Sequence, residues 1–139
     1  MKKFFLILLV SSSVYATEVG IVKLLKGVVS ASIDSNIQNL SVGSILDEKV
    51  IIETKENSSV TIVFNDSSVL VLGPNSIINL KKYLFKPKEN LYDFQLFLKK
   101  GAATFESGDI GKVSPESFTF KTPQGTVSIR GTKFAVKVE

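Results

Sequence analysis

Cysteine, histidine and tryptophan are absent from this chain, and arginine occurs once, as Arg130. Without cysteine or histidine there can be no Ser-His-Asp triad, no cysteine nucleophile and none of the usual zinc sites. No serine stands three residues before a lysine, so the Ser-x-x-Lys nucleophile pattern is missing as well. There is no Gly-rich phosphate loop. Disulfides cannot support the fold. A formal net charge of +4 is too small for a nucleic-acid footprint. Long apolar runs are lacking too. The run Phe4 to Val10 is well short of the roughly 18 residues that a membrane-spanning helix needs, and later runs are broken every few residues by charge or turn signals.

What is present points to one exported domain. The chain has 139 residues, 44% hydrophobic and 22% charged, a balance that excludes a disordered protein. Its 10 phenylalanines are purely apolar rings and belong in a core. Lys2 and Lys3, the apolar run Phe4 to Val10 and the Val14-Tyr15-Ala16 site form a signal-peptide pattern, with cleavage expected after Ala16. Residues 1–16 are thus expected to be a signal peptide and 17–139 a single domain, periplasmic or secreted, with no membrane span after cleavage. Removing Lys2 and Lys3 takes the charge from +4 to +2. No cysteine follows the leader to carry a lipid.

The mature sequence alternates with a period of two. Val29, Ala31 and Ile33 share one face. So do Val60, Ile62 and Phe64; Tyr92, Phe94, Leu96 and Leu98; Phe118 and Phe120; and Phe134, Val136 and Val138. "VLVLG", Val69 to Gly73, reads as a strand buried on both faces. Turn clusters separate these runs: Asn65 to Ser68, Gly73 to Ser76, Ser107 to Gly111 and Thr122 to Gly125. No stretch has a sustained helical period. Lys81 to Asp93 reads as a polar, exposed excursion between strands, with Pro87 outside any central ladder. The pairs Lys81-Lys82 and Lys99-Lys100 read as solvated turns rather than a polyanion site. The fold class is all-β, built of short strands and tight turns, with a sandwich-like or a solenoid-like arrangement both compatible with this pattern.

Only an all-carboxylate site remains open to catalysis. The candidate acids are Asp47, Glu48, Glu53, Asp66, Asp109 and Glu116. Adjacent acids on a strand point to opposite faces, so Asp47 and Glu48 do not form a pair. Asp66 reads as a turn residue bonding its own backbone. A weak calcium site there would need six or more oxygens. The expectation is a protein that is not an enzyme and holds no cofactor or metal.

Two blocks carry a family resemblance. "TKENSSVTIVFNDSSVLVLGPNSIINL", Thr54 to Leu80, and "TPQGTVSIRGTKFAV", Thr122 to Val136, occur in the order seen in the FecR domain family. "GIVKLLKGVVSAS" and "LKKGAATFES" resemble its first strands and its Leu-x-x-Gly strand. Ser67 stands where that family usually has glycine. The matching motif residues are Asp66, Gly73, Pro74 and Ser76 in the first block, and Thr122, Pro123, Gly125, Arg130, Gly131, Thr132 and Phe134 in the second. The resemblance implies a periplasmic β-domain and suggests a solenoid form for it. It also implies kinship with anti-sigma regulators of iron uptake, which add a sigma-binding region and a transmembrane helix. This chain reads as the β-domain alone behind a signal peptide.

The motif residues read as fold grammar. Pro123 and Gly125 shape a corner, Gly131 permits a bend or close approach, and Thr126 and Thr132 can bond turn backbone. Arg130 has a five-donor fork suited to capping corner carbonyls or pairing with an acid. The alternative is Arg130 as an exposed recognition residue for an anionic partner. The expected function is a non-enzymatic exported binding or scaffold module whose partner is another envelope protein. The alternatives are a component of an anti-sigma-type, iron-related signalling system, and, more remotely, a glycan-binding or carboxylate-hydrolase module.

Overall fold

The computed structural model describes residues 18–127 and 133–139. The leader and the Arg130, Gly131 and Thr132 triplet lie outside the described residues. So do Ser128 and Ile129.

The alternating runs become strands. In chain order they are β1 (Glu18–Lys26), β2 (Val29–Ile33), β3 (Asn36–Asn39), β4 (Ile45–Asp47), β5 (Ile51–Thr54) and β6 (Ser59–Phe64). These are followed by β7 (Val69–Leu72), β8 (Ile77–Lys86), β9 (Leu91–Glu106), β10 (Phe118–Thr122), β11 (Gly125–Val127) and β12 (Lys133–Val138). The protein is all-β. One helix, α1 (Asp109–Val113), follows β9. The main path through the sheet runs β3-β2-β5-β8-β9-β7-β6-β1-β4. It curls into a half-barrel, so β3 and β4 are its two ends. Every ladder among the described residues is antiparallel except β9 with β10. A stack of repeating parallel coils is not what these ladders form.

β9 organises the curl. Its first half pairs with β8 and, in parallel, with β10. Its second half pairs with β7 and β12. The inward residues follow the alternation: Val60, Ile62 and Phe64 are buried, as are Phe94, Leu96 and Leu98, and Phe118 and Phe120. Phe94 is the centre of an aromatic cluster. Its ring lies 4.7 Å from Tyr83, 4.9 Å from Phe64, 5.1 Å from Phe118 and 5.7 Å from Phe105, all in edge-to-face contact. Phe134 tilts against Phe105 at 5.7 Å and meets the edge of Phe120 at 5.3 Å.

Four expectations are corrected. The lysine pairs are not turns between strands. Register shifts fall between Leu80 and Lys82 and between Ile77 and Ile78, leaving Lys81 on β8 and Lys99 on β9 as the extra residues of β-bulges. A third shift, between Val22 and Leu24, leaves Lys23 in the same role on β1. A bulged residue has no ladder partner and points to water, where a lysine head is well solvated. All three lysines are exposed.

Each bulge also reverses which alternate residues face inward, and this explains the second correction. Ile78 and Leu80 are buried on β8, but after Lys81 the buried residue is Tyr83. Lys81 to Asp93 is therefore not an exposed excursion. It is the far arm of the β8–β9 hairpin, anchored by a buried Tyr83. Pro87 does sit off the ladder, in the 3-10 turn Pro87–Glu89.

The third correction concerns "VLVLG". Leu70 and Leu72 are buried, but Val71 is 37% exposed, so β7 is covered on one face only. The fourth is "SGDIG", which begins α1 rather than forming a simple turn. Ile110 of this helix is fully buried and seals the end of the core.

Candidate functional site

The polar residues of the first motif turn inward. Asp66 follows β6 at the tip of the β6–β7 hairpin and is completely buried. Its Oδ1 accepts from Ser68 N at 3.2 Å and from the Tyr83 hydroxyl at 3.1 Å. Its Oδ2 accepts from Ser68 Oγ at 2.7 Å and from Ile110 N at 3.1 Å. The Asp66 N–H donates back to Tyr83 Oη at 3.0 Å, and the Asp66 carbonyl accepts from Asp109 N at 2.7 Å. One side chain thus joins the β6–β7 turn, the β8 arm and the start of α1. A turn residue bonding only its own backbone does less than this. Both oxygens face N–H and O–H donors, which a calcium ion would have to displace.

Gly108 allows α1 to come so close. A Cβ there would lie 2.5 Å from Ser67 C and Ser68 N, inside the backbone of the hairpin turn. Ser67 takes φ +69°, in the left-handed region that glycine prefers. The turn keeps the glycine geometry although the residue is serine.

A second knot uses Thr54, Gly73, Pro74 and Ser76. Thr54 Oγ1 donates to Gly73 O at 2.5 Å and accepts from Ser76 N at 3.0 Å. Ser76 Oγ donates to Pro74 O at 2.9 Å and accepts from Ala102 N at 3.0 Å. Gly73 N donates to Ala102 O at 2.8 Å. The knot ties the β7–β8 corner to β5 and to β9, where Gly101 sits at φ +94° against Ser76. A third, smaller knot has Ser58 Oγ accepting from Val28 N at 2.9 Å and donating to Glu56 O at 3.0 Å, with Gly27 packed against it. Among the described residues no buried side-chain polar atom is left unpaired.

The second motif lies elsewhere. Thr122 Oγ1 accepts from Gln124 N at 3.2 Å and donates to Gly125 O at 3.3 Å, bracing the exposed β10–β11 hairpin around Pro123. Phe134 is the second residue of β12 and lies opposite Phe105. Arg130, Gly131 and Thr132 lie outside the described residues. The two motifs therefore do not build one site in the described part of the chain.

The candidate acids are scattered. Glu53 bonds Lys55 at 2.8 Å, and that bond holds its carboxyl below the usual range. Glu116 is held low by its own backbone N–H and by the Ser114 hydroxyl. Asp109 begins α1 and Glu48 follows β4. Asp47 shares a cavity of about 370 Å³ with Asp34, Ile37 and Ile45, where the two ends of the sheet approach each other. Among the described residues there is no group of three or more acids that could hold a metal ion, and no helix long and apolar enough to cross a membrane.

A family profile described as FecR protein matches residues 50–139. The chain belongs to the FecR protein family. No curated protein and no solved structure shows significant similarity to it. The FecR match begins just before β5 and takes in the Asp66 and Thr54–Ser76 knots together with both sequence blocks. The knots are thus the physical content of the first FecR motif. Sequence reasoning placed Asp66, Gly73, Pro74 and Ser76 in corners. It missed Thr54, Tyr83, Gly101 and Gly108 as their partners. The Thr-x-x-x-Ser spacing of Thr54 and Ser58 was the available signal for the first of these.

Burial, with the nearby Asp66 charge as the next cause, pushes the Tyr83 phenol up from its usual value of about 10. A raised phenol stabilises the fold fully below the unfolded value of about 10, and that contribution is lost as pH rises toward the folded value. Wild-type protein should therefore lose stability above about pH 10, and Tyr83→Phe should lack that component. At neutral pH the same substitution leaves Asp66 without one donor and its N–H without an acceptor, at a cost of about 1–3 kcal/mol. Urea midpoints across alkaline pH check both effects, and parallel curves for the two proteins would contradict the first.

Proposed function

We propose that this FecR-family chain is an exported, non-enzymatic binding module that acts through contacts with another envelope protein. The observation behind this reading is where the motif polar groups go. Asp66, Thr54, Ser58 and Ser76 are buried, and each spends its side-chain oxygens on hydrogen bonds inside the protein, so they are not available to a substrate. Recognition then falls to the outer surface, where Leu24 on β1, Val42 in the β3–β4 loop and Val113 on α1 stand exposed. The leader pattern at residues 1–16 supports delivery to the periplasm.

The test has two readouts. Mass spectrometry of protein from the envelope fraction should find Thr17 at the N-terminus. Crosslinking in intact cells should then join the chain to an envelope protein of different mass. Intact Met1 on membrane-bound chain would overturn the export reading, and a chain that never crosslinks to another protein would overturn the partner reading.

Family membership favours a second reading, in which the chain is one part of an iron-uptake signalling system. Deleting its gene should then change the transcriptional response to iron limitation. An unaltered response would remove this reading and leave the first untouched.

A further inference from the structure

Residues 27–46 carry a single charge, Asp34, in a chain that is 22% charged overall. They precede the residues matched by the family profile and contain β2, β3 and the start of β4. The segment folds as a tight hairpin and then a loop. Asp34 and Ser35 are the two turn residues, both at positive φ (47° and 69°), as a two-residue hairpin requires. The hairpin register is regular, with Ile33 opposite Asn36 and Ser30 opposite Asn39.

β3 is an end of the sheet path, and all of its residues are exposed. Ile37 is 75% exposed, with Val42 at 63% and Ile45 at 55% nearby in the chain. Edge strands are normally protected by charge, proline or a bulge. β3, "NIQN", has none of these. Two other edges are charged: β4 runs into Asp47-Glu48-Lys49, and β12 carries Lys133 and Lys137, while the uncharged edge β11 is only three residues long. A two-fold pairing of β12 with itself would bring lysines together. The same pairing of β3 opposes no like charges.

We propose that β3 pairs antiparallel with β3 of a second copy of this chain. The backbone sets the register. Leu40 donates its N–H to Val29 O at 2.8 Å, so Leu40 faces β2. By the alternation of an antiparallel ladder, Gln38 and Asn36 face β2 as well, and Ile37 and Asn39 turn their N–H and C=O groups outward. Centring the pair on Gln38 sets Ile37 of each copy opposite Asn39 of the other, and the outward groups of both residues are satisfied. The two Ile37 side chains become diagonal neighbours on one face. Asp34 sits in the turn beyond the paired strands, so the two Asp34 residues lie at opposite ends of the pair. Their carboxylates are roughly 20 Å apart, well beyond the Debye length of about 8 Å at physiological salt.

The test is sedimentation equilibrium of protein purified after expression of the full chain. A contact this small is weak, so the average mass should rise from one chain toward two between about 10 µM and 1 mM. The rise should be insensitive to salt, because no charges meet. Ile37→Lys should hold the protein at one chain mass throughout. Its unfolding midpoint should match wild type, since Ile37 is already mostly in water. Asn39→Pro removes an outward N–H while leaving the bonds to β2, and should weaken the dimer about tenfold or more. A wild-type mass of one chain at 1 mM would overturn the proposal and leave β3 free for a strand of another protein. A dimer that survives Ile37→Lys, or one that dissociates in salt, would overturn it too.

Discussion

Asp66→Ala should lower the free energy of unfolding by on the order of 3–5 kcal/mol, a large share of a typical domain's total. The reason is the number of groups left behind. Ser68 N, Ser68 Oγ, Ile110 N and the Tyr83 hydroxyl all donate to this one carboxylate inside the protein. Water cannot replace it, because Asp66 and Ser68 are completely buried. A stranded buried donor costs about 1–3 kcal/mol, and the losses overlap because relaxation of the hairpin serves several at once. Asp66→Asn keeps the shape but puts an amide N–H₂ against groups that are themselves donors. It should also destabilise, by less than alanine. Urea unfolding of both variants reads the effect. An Asp66→Ala midpoint equal to wild type would show that the network is not what holds α1 and the β8 arm to the hairpin.

Most of the strands were legible because burial on one face imposes a period of two, and that period is local. Val60, Ile62 and Phe64 need no knowledge of their partners to be recognised as one face. The bulges broke this logic. Continuing the alternation of Ile78 and Leu80 puts Lys82 in the core, a place that a lysine does not take unpaired. The structure instead inserts Lys81 as an extra residue, and Tyr83 takes the inward place. β9 changes phase in the same way between Leu98 and Ala103, across Lys99. A lysine inside an otherwise alternating run, followed by apolar residues in the opposite phase, is the signal that was present and unread.

The corners were legible by composition and not by partner. Asn65 to Ser68 announces a turn through residue types alone. That its aspartate bonds Ile110 is a contact across 44 positions, which no local pattern encodes. Gly108 shows the same limit. It reads as one more turn glycine, yet its role is to leave room for the backbone of Ser67 and Ser68. The family resemblance marked Asp66, Gly73, Pro74 and Ser76 together without saying why they belong together. Burial supplies the reason: a carboxylate and hydroxyls inside a phenylalanine core are tolerated only when every lone pair and proton is used.

Gly101→Ala tests the second knot and should be nearly as damaging. Two costs coincide at this position. Gly101 is at φ +94°, a conformation in which a Cβ is strained by about 1–2 kcal/mol. The added Cβ would also lie 2.5 Å from Ser76 Cα and Cβ, and Ser76 is completely buried. Ser76 cannot swing aside, because its hydroxyl is held between Pro74 O and Ala102 N. Overpacking of this kind adds about 1–3 kcal/mol, so the total should be on the order of 3 kcal/mol. The steric part can be separated from the backbone part. Ser76→Gly removes the Cβ and hydroxyl that the new methyl strikes, at the expense of the bonds Ser76 makes. The double variant Ser76→Gly with Gly101→Ala should therefore lose less than the sum of the two single losses, by more than about 0.5 kcal/mol. Equilibrium urea unfolding of the four proteins measures this coupling. Strict additivity would mean that the φ at Gly101 or its approach to the Ser76 backbone, and not the Ser76 side chain, is what requires glycine there.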